Sequence, residues 1–291
     1  MTRSSPLHPL LSSTLCVCLS ACGTLGPRWR AVETTSGAEV DLVHMADALS
    51  GVDVVFLGEE HDNDVGHELQ LELTKLLLER RGTLAISLEM FERDVQDQID
   101  LYLMRAISEE RFLGHSRPWS NYREHYRPVI ELARAQGLPV IAANCRRALA
   151  SRVAGKGLTA VAGDAWCAAQ VDAWPGPYRD RFVEAMGDHA QQMGTKLDDF
   201  FASQCLKDDT MAESIARFLE EAGENAPLVV HWCGRFHSDH YLGTVERLVA
   251  RRPDLTVAVV STVPTKRRGR DLTGSERASA DYVWLVPPSG R

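Results

Sequence analysis

Asp53-Val54-Val55-Phe56-Leu57-Gly58, an apolar and β-branched run ending in glycine, passes into Glu59-Glu60-His61 and then into the stretch 68–80. There Leu69, Leu73, Leu76 and Leu77 recur at helical spacing between charges, so the segment reads as a strand feeding a helix. The unit repeats outward. Residues 83–88 read as a second strand, and 94–106 as a helix with Leu101 and Met104 on its apolar face. A helical stretch at 122–136 leads through Gly137 into a third strand, Pro139-Val140-Ile141-Ala142-Ala143, with a helix after it around 147–154. Residues 155–197 break the rhythm with glycine, proline and the aromatics Trp166, Trp174 and Tyr178, and read as a helical insertion. A helix at 200–222, a strand at 227–232, a helix near 240–251 and strands at 255–261 and 282–286 follow. Strands alternating with helices predict an α/β fold: a doubly wound, mainly parallel sheet with helices on both faces.

Four of these strands run directly into polar or ionisable residues. The first gives Glu59-Glu60-His61, the second Glu89, the third Asn144 with Arg146 and Arg147, and the strand at 227–232 gives Gly234-Arg235-Phe236-His237. Ligands of open parallel sheets bind outside the carboxyl ends of the strands, so these residues should share one pocket. Two histidines with two or three carboxylates suit metal ligation, or proton transfer in which a carboxylate orients a histidine. The competing reading is that strand-end polar groups merely cap the next helix, as Asp62 and Asn63 do for the first one. His231 lies inside a strand and reads as a core histidine. His237 and His240, three apart, could chelate on one turn, although His240 is better placed on a solvated face.

The remainder of the chain bounds its setting. With 291 residues, 44% hydrophobic and 25% charged, it has ordinary globular composition. The exception is the N-terminus: Leu7 to Ala21 carries no charge, follows Arg3, and ends in Leu19-Ser20-Ala21-Cys22-Gly23. That reads as a secretory leader closed by a lipobox, with Cys22 the expected lipidated first residue of the mature chain; the competing reading is a plain signal peptide that happens to contain a cysteine. The expected organisation is a leader at 1–21, a tether at 22–40 and a domain at 41–291 whose insertion spans about 155–197. Glycine after Cys22 is compatible with passage to the outer membrane, facing the periplasm. The net charge is −8, and losing Arg3 with the leader makes it more acidic, which argues against nucleic acid as a partner. Cys145, Cys167, Cys205 and Cys233 remain in the mature chain. They leave up to two disulfides open and form no zinc-type pair. No Gly-x-Ser-x-Gly elbow or phosphate-cradling glycine loop occurs. The basic run 266–270 is either a solvated loop or a contact for anionic head groups.

Taken in order, several motifs resemble the ChaN family of haem-binding lipoproteins: Leu57-Gly58-Glu59-Glu60-His61, Ser87 through Asp94, Trp119 with Tyr126-Arg127-Pro128, Gly137 through Asn144, Gln204 through Asp208 to Met211-Ala212, and Gly234-Arg235-Phe236-His237 with Leu242 through Val245. They span about residues 50–261. The resemblance implies an iron-regulated, lipid-anchored protein of haem-iron acquisition, with haem held between the subunits of a homodimer. It also implies kinship with erythromycin esterase-like enzymes and TIKI-type metal-dependent proteases. Their Gly-Glu-x-His and Gly-x-x-His elements are matched here by Glu59, His61, Glu89 and His237.

Haem needs an axial ligand, an apolar slot and groups for its propionates. Without Cys-x-x-Cys-His any attachment is non-covalent. The expected slot is in the insertion, where Tyr178, Phe182, Met186, His189 and Met193 step by four, four, three and four beside Trp174, Arg179 and Arg181. Tyr178 and His189 are the candidate axial ligands, with Met186 and Arg179 alongside. The same spacing also suits an ordinary core-facing helix. The alternative is a metal-dependent hydrolase holding a divalent ion on Glu59, His61 and His237, with Glu59 or Glu89 as base or ligand.

Overall fold

The computed structural model describes residues 28–267 and 269–290; the leader and Cys22 lie outside them. The chain opens with β1 (Arg30–Glu33), β2 (Glu39–Val40) and α1 (Leu42–Leu49). Next come β3 (Val54–Glu59), α2 (Asp64–Arg81), β4 (Leu84–Glu92), α3 (Gln96–Leu103), α4 (Glu109–Ser116), α5 (Arg127–Gln136), β5 (Val140–Asn144) and α6 (Arg147–Lys156). The insertion carries α7 (Pro177–Met186) and α8 (Asp188–Met193) and leads into the long α9 (Lys196–Ala222). β6 (Leu228–Gly234), α10 (Thr244–Arg251), β7 (Val257–Pro264), α11 (Gly274–Arg277) and β8 (Tyr282–Val286) complete the order. Among the described residues no helix is long and apolar enough to cross a membrane.

The sheet runs β2-β1-β8-β7-β3-β6-β4-β5. From β8 to β5 every pair is parallel, while β1 lies antiparallel to both β8 and β2. The chain starts its parallel part at β3, winds out through β4 to the β5 edge, and returns to insert β6 between β3 and β4. It then crosses β3 to add β7 and β8. Alternation along the strands divides the core between two faces. Val55, Leu57, Val230 and Trp232 pack with α1, α2, α3 and α5 on one side. Val54, Phe56, Val229 and Cys233 pack with α9 and α10 on the other. This is the doubly wound sheet expected from the sequence.

Four local differences have physical causes. The segment expected to be a tether carries β1 and β2, because Ala31 and Val32 bury against the β8 edge with no long apolar run to announce them. β4 continues to Glu92 through a register shift against β5 after Leu88, and such an irregularity bends a strand and re-aims its side chains. The helix expected at 122–136 begins as a π-helical turn, Tyr122–Tyr126, before α5, whose first turn holds Pro128. α10 starts only at Thr244, because His240 and Tyr241 adopt φ of 63° and 59°, which no helix accommodates. The four described cysteines are buried free thiols spread over three apolar clusters, not paired as disulfides.

Candidate functional site

β3, β6 and β4 are neighbours, so the segments leaving them meet at one end of the sheet. Glu59, the last residue of β3, is buried and is hydrogen-bonded by three side chains, with His67 Nδ1 a further 3.6 Å from Oε2. Tyr126 Oη donates to Oε1 at 2.6 Å, Gln70 Nε2 to Oε2 at 3.0 Å, and His61 Nδ1 lies 2.9 Å from Oε1. The π-helical turn brings Tyr126 to this carboxylate. The His61 backbone carbonyl is fixed as well, by Asn121 Nδ2 at 2.7 Å and His67 Nε2 at 3.1 Å. Its half-exposed ring stands edge-on to Trp119, with centroids 4.9 Å apart. Burial works against the His61 cation, but the Glu59 hydrogen bond and the charge of Glu89 outweigh it, so its pKa lies above the usual histidine value.

Gly234 makes this arrangement possible. A Cβ there would lie 2.8 Å from His61 Cε1, so any side chain would displace the imidazole. Gly58 meets a similar demand, since a Cβ on it would fall 2.7 Å from Ser238 Oγ. The Gly234 N–H donates to Glu89 Oε2 at 2.6 Å, which fixes the buried Glu89 beneath the same loop.

His237 lies between two carboxylates. Its Nδ1 is 2.7 Å from Asp208 Oδ1, and its Nε2 is 3.4 Å from Glu89 Oε1. Asp208, fully buried on α9, also accepts from Thr244 Oγ1 at 2.9 Å and Tyr178 Oη at 2.6 Å. Burial opposes a charge on His237, yet Glu89 and Asp208 overcome it and push its pKa up to about 10. Burial likewise favours neutral Glu89, but His237 outweighs it and holds the carboxyl well below the usual range. His237 is therefore an imidazolium locked in an ion triad, which removes it from any chelate with His240. His231 is a core histidine bonded to Ser87 Oγ at 2.9 Å, and burial lowers its pKa to about 4.

Above these groups opens a cleft of about 1270 Å³, larger than the roughly 300–1,000 Å³ usual for a small-molecule pocket. His61, Glu89 and His237 line it, with Trp119, Phe182, Met186 and Phe236 supplying apolar faces and Arg117, Arg146, Arg147 and Lys207 supplying cations. The four strand-end residues named from sequence thus come together. Those named in the insertion separate. Met186 lines the cleft, whereas Tyr178 is buried against Phe201 and Phe236 with its hydroxyl on Asp208. His189 is exposed and lies outside the cleft lining, and Arg179 is paired with Asp198 at 2.7 Å. Among the described residues no tyrosine lines the cleft. Sequence reasoning missed the role of Asp208, although Gln204 and Asp208 stand one turn apart on α9 and both reach His237.

The family described as haem-binding uptake, Tiki superfamily, ChaN matches residues 45–248. The chain belongs to the ChaN family. ChaN of Campylobacter jejuni, described for cofacial haem binding, superposes with a TM-score of 0.68 at 15% identity, over 88% of this chain and 96% of that one. A mutant of the erythromycin esterase EreC in its open conformation gives 0.53 at 12% identity, over 90% and 98%. The type III effector HopBA1 gives 0.50 at 12%, over 86% and 94%. At these identities the likeness is one of fold. No curated protein matches the chain by sequence.

The donor set fits a haem of this ChaN-family chain. His61 Nδ1 is engaged by Glu59, the arrangement that fixes a ligating imidazole, and Nε2 has no hydrogen-bond partner among the described residues. The divalent-metal alternative on Glu59, His61 and His237 lacks support. Among the described residues no group of three or more His, Cys, Asp or Glu side chains is disposed to hold an ion. His237, claimed on both sides by carboxylates, offers no lone pair.

Proposed function

We propose that this ChaN-family chain binds haem non-covalently in the strand-end cleft, with His61 as axial ligand, and serves haem-iron acquisition as an exported protein anchored through lipidated Cys22 at the outer membrane. The observation that carries the reading is His61 itself: a ring oriented from behind by a buried carboxylate and open to a cleft with apolar faces. Trp119, Phe182, Met186 and Phe236 suit the faces of a porphyrin. When bound, the haem would supply an iron able to accept a neutral imidazole nitrogen. Since the pKa of His61 is raised, ligation weakens as pH falls and the ring takes up its second proton. In this reading the haem is shared by a homodimer, a second copy covering the exposed part of the ring.

Hemin titration of the full-length protein in detergent, followed by the Soret band and by sedimentation, tests this reading. Saturable binding that is weakened by His61→Ala and accompanied by dimer formation is expected; no saturable binding would refute it.

A second reading draws on the same dyad. Glu59 orients His61 as a general base facing the cleft, which suits ester hydrolysis without a metal. Hydrolysis of a chromogenic ester, abolished by His61→Ala and insensitive to chelators, would support it; ester turnover equal to that of the buffer alone would end it.

A further inference from the structure

β1 runs antiparallel to β8 with Arg30 opposite Leu285, so its start lies at the carboxyl end of the parallel strands, the end that carries the cleft. The basic run 266–270 follows β7 at that same end. Hydrogen bonds tie the two segments to the sheet and to each other. The Thr265 N–H donates to the Val286 carbonyl at 2.7 Å, and Arg30 Nη1 donates to the Arg270 carbonyl at 3.1 Å. Arg30 and Arg270 are matched by Glu39 and Glu276. Arg28, Lys266 and Arg267 are exposed and form no ion pair among the described residues. The chain as a whole carries a net charge of −8, so attraction to an acidic surface must be local to such a patch.

An exposed lysine or arginine alone signifies little, but the distance to the anchor gives this patch a partner. Only residues 22–27 separate the start of the described chain from the lipid on Cys22, and even fully extended they reach about 20 Å. That is less than half the diameter of roughly 45 Å expected for a folded chain of this length, so the opposite end of the sheet cannot be turned to the bilayer. Unmatched cations held this close to a membrane are drawn to acidic head groups over a Debye length of about 10 Å at 0.1 M salt. We propose that Arg28, Lys266 and Arg267 form a docking surface for anionic phospholipid, which seats the carboxyl end of the sheet on the membrane and turns the cleft toward it. This goes beyond the haem reading and rests only on the anchored part of the proposed function.

The experiment reconstitutes the full-length lipidated protein in vesicles of phosphatidylcholine, alone or mixed with phosphatidylglycerol, that carry an acceptor-dye lipid. A donor dye is placed at Ser289→Cys, beyond β8 at the carboxyl end, or at Gly51→Cys, ahead of β3 at the opposite end, where a side chain meets no neighbour within 4 Å. The four described native thiols are buried. Co-sedimentation verifies the anchor, and circular dichroism the fold of each variant. Energy transfer to the bilayer should be severalfold higher from position 289 than from position 51. Phosphatidylglycerol should raise it further at 289. That rise should be lost in Lys266→Gln/Arg267→Gln, and at about 1 M salt, where the Debye length is about 3 Å, but kept in Arg81→Gln at the other end of the sheet. Transfer from 289 that ignores both phosphatidylglycerol and the double substitution would overturn the docking surface, while co-sedimentation leaves the anchor standing. Equal transfer from the two positions would overturn the orientation. A protein that sediments with neither vesicle would refute the anchor and the docking surface with it.

Discussion

The strand-end floor and the helical insertion border the same cleft, yet they are built on opposite principles. The floor is polar and interlocked, with Glu59, His61, Glu89, His237 and Asp208 each holding another in place. The insertion is apolar: Tyr178 and Phe182 pack against Phe201 of α9, and the one polar group of that cluster, the Tyr178 hydroxyl, is turned inward to Asp208. The aromatic stripe therefore covers a core and gives the cleft only the apolar faces of Phe182 and Met186, while the polar groups of the floor come from the strand ends. The two regions touch at Asp208, which bonds His237 on one oxygen and Tyr178 on the other.

Breaking that junction should have the largest effect. Asp208→Asn leaves the buried His237 cation with one carboxylate in place of two, and removing a partner from a buried ion pair costs about 3–5 kcal/mol. Urea unfolding should report a loss of that size, and a loss below about 1 kcal/mol would mean that the triad contributes little to the fold. The same triad fixes the pH response. The pKa of His237 rises from 6.5 to about 10 on folding, so its stabilisation is complete below the lower value and is lost as pH climbs through the upper one. Glu89 is depressed from 4.5, so its contribution is present above that value and is lost on acidification. The unfolding midpoint should hold near neutrality and fall toward both extremes; stability that keeps rising from neutrality to pH 10 would contradict this.

Next in size is Gly234→Ala, whose methyl group must displace the His61 ring. Overpacking of this kind costs about 1–3 kcal/mol and should weaken hemin binding together with stability. Tyr178→Phe separates the two regions most cleanly. It should destabilise by about 1 kcal/mol through the lost hydrogen bond and leave hemin affinity unchanged. A selective loss of hemin binding would instead make Tyr178 a ligand. Smallest is His189→Ala: exposed and outside the cleft lining, it should change stability by less than about 0.5 kcal/mol and leave the Soret band in place.

The same contrast separates what is legible in the sequence from what is not. The parallel sheet is legible because short apolar runs such as 53–58 and 227–232 alternate with amphipathic helical stretches such as 68–80. The floor is legible because topology alone brings strand ends together, so Glu59, His61, Glu89 and His237 can be named without a partner in view. Asp208 lies in the middle of a helix and acts through a contact 29 residues away, which no local pattern encodes. β1 escapes notice because the β8 edge stabilises it and its own composition does not. Tyr178 and His189 are attractive as isolated ligand types, but side-chain direction decides otherwise: one points into the core and the other into solvent.

The central claim, that His61 is the group presented to haem, is tested most directly by electron paramagnetic resonance of the ferric haem complex of wild type and His61→Gly, with and without added imidazole. The account predicts an imidazole-ligated signal in wild type, its loss in the variant and its return when imidazole fills the vacated space. An identical signal in both proteins would place the ligand elsewhere and contradict the account.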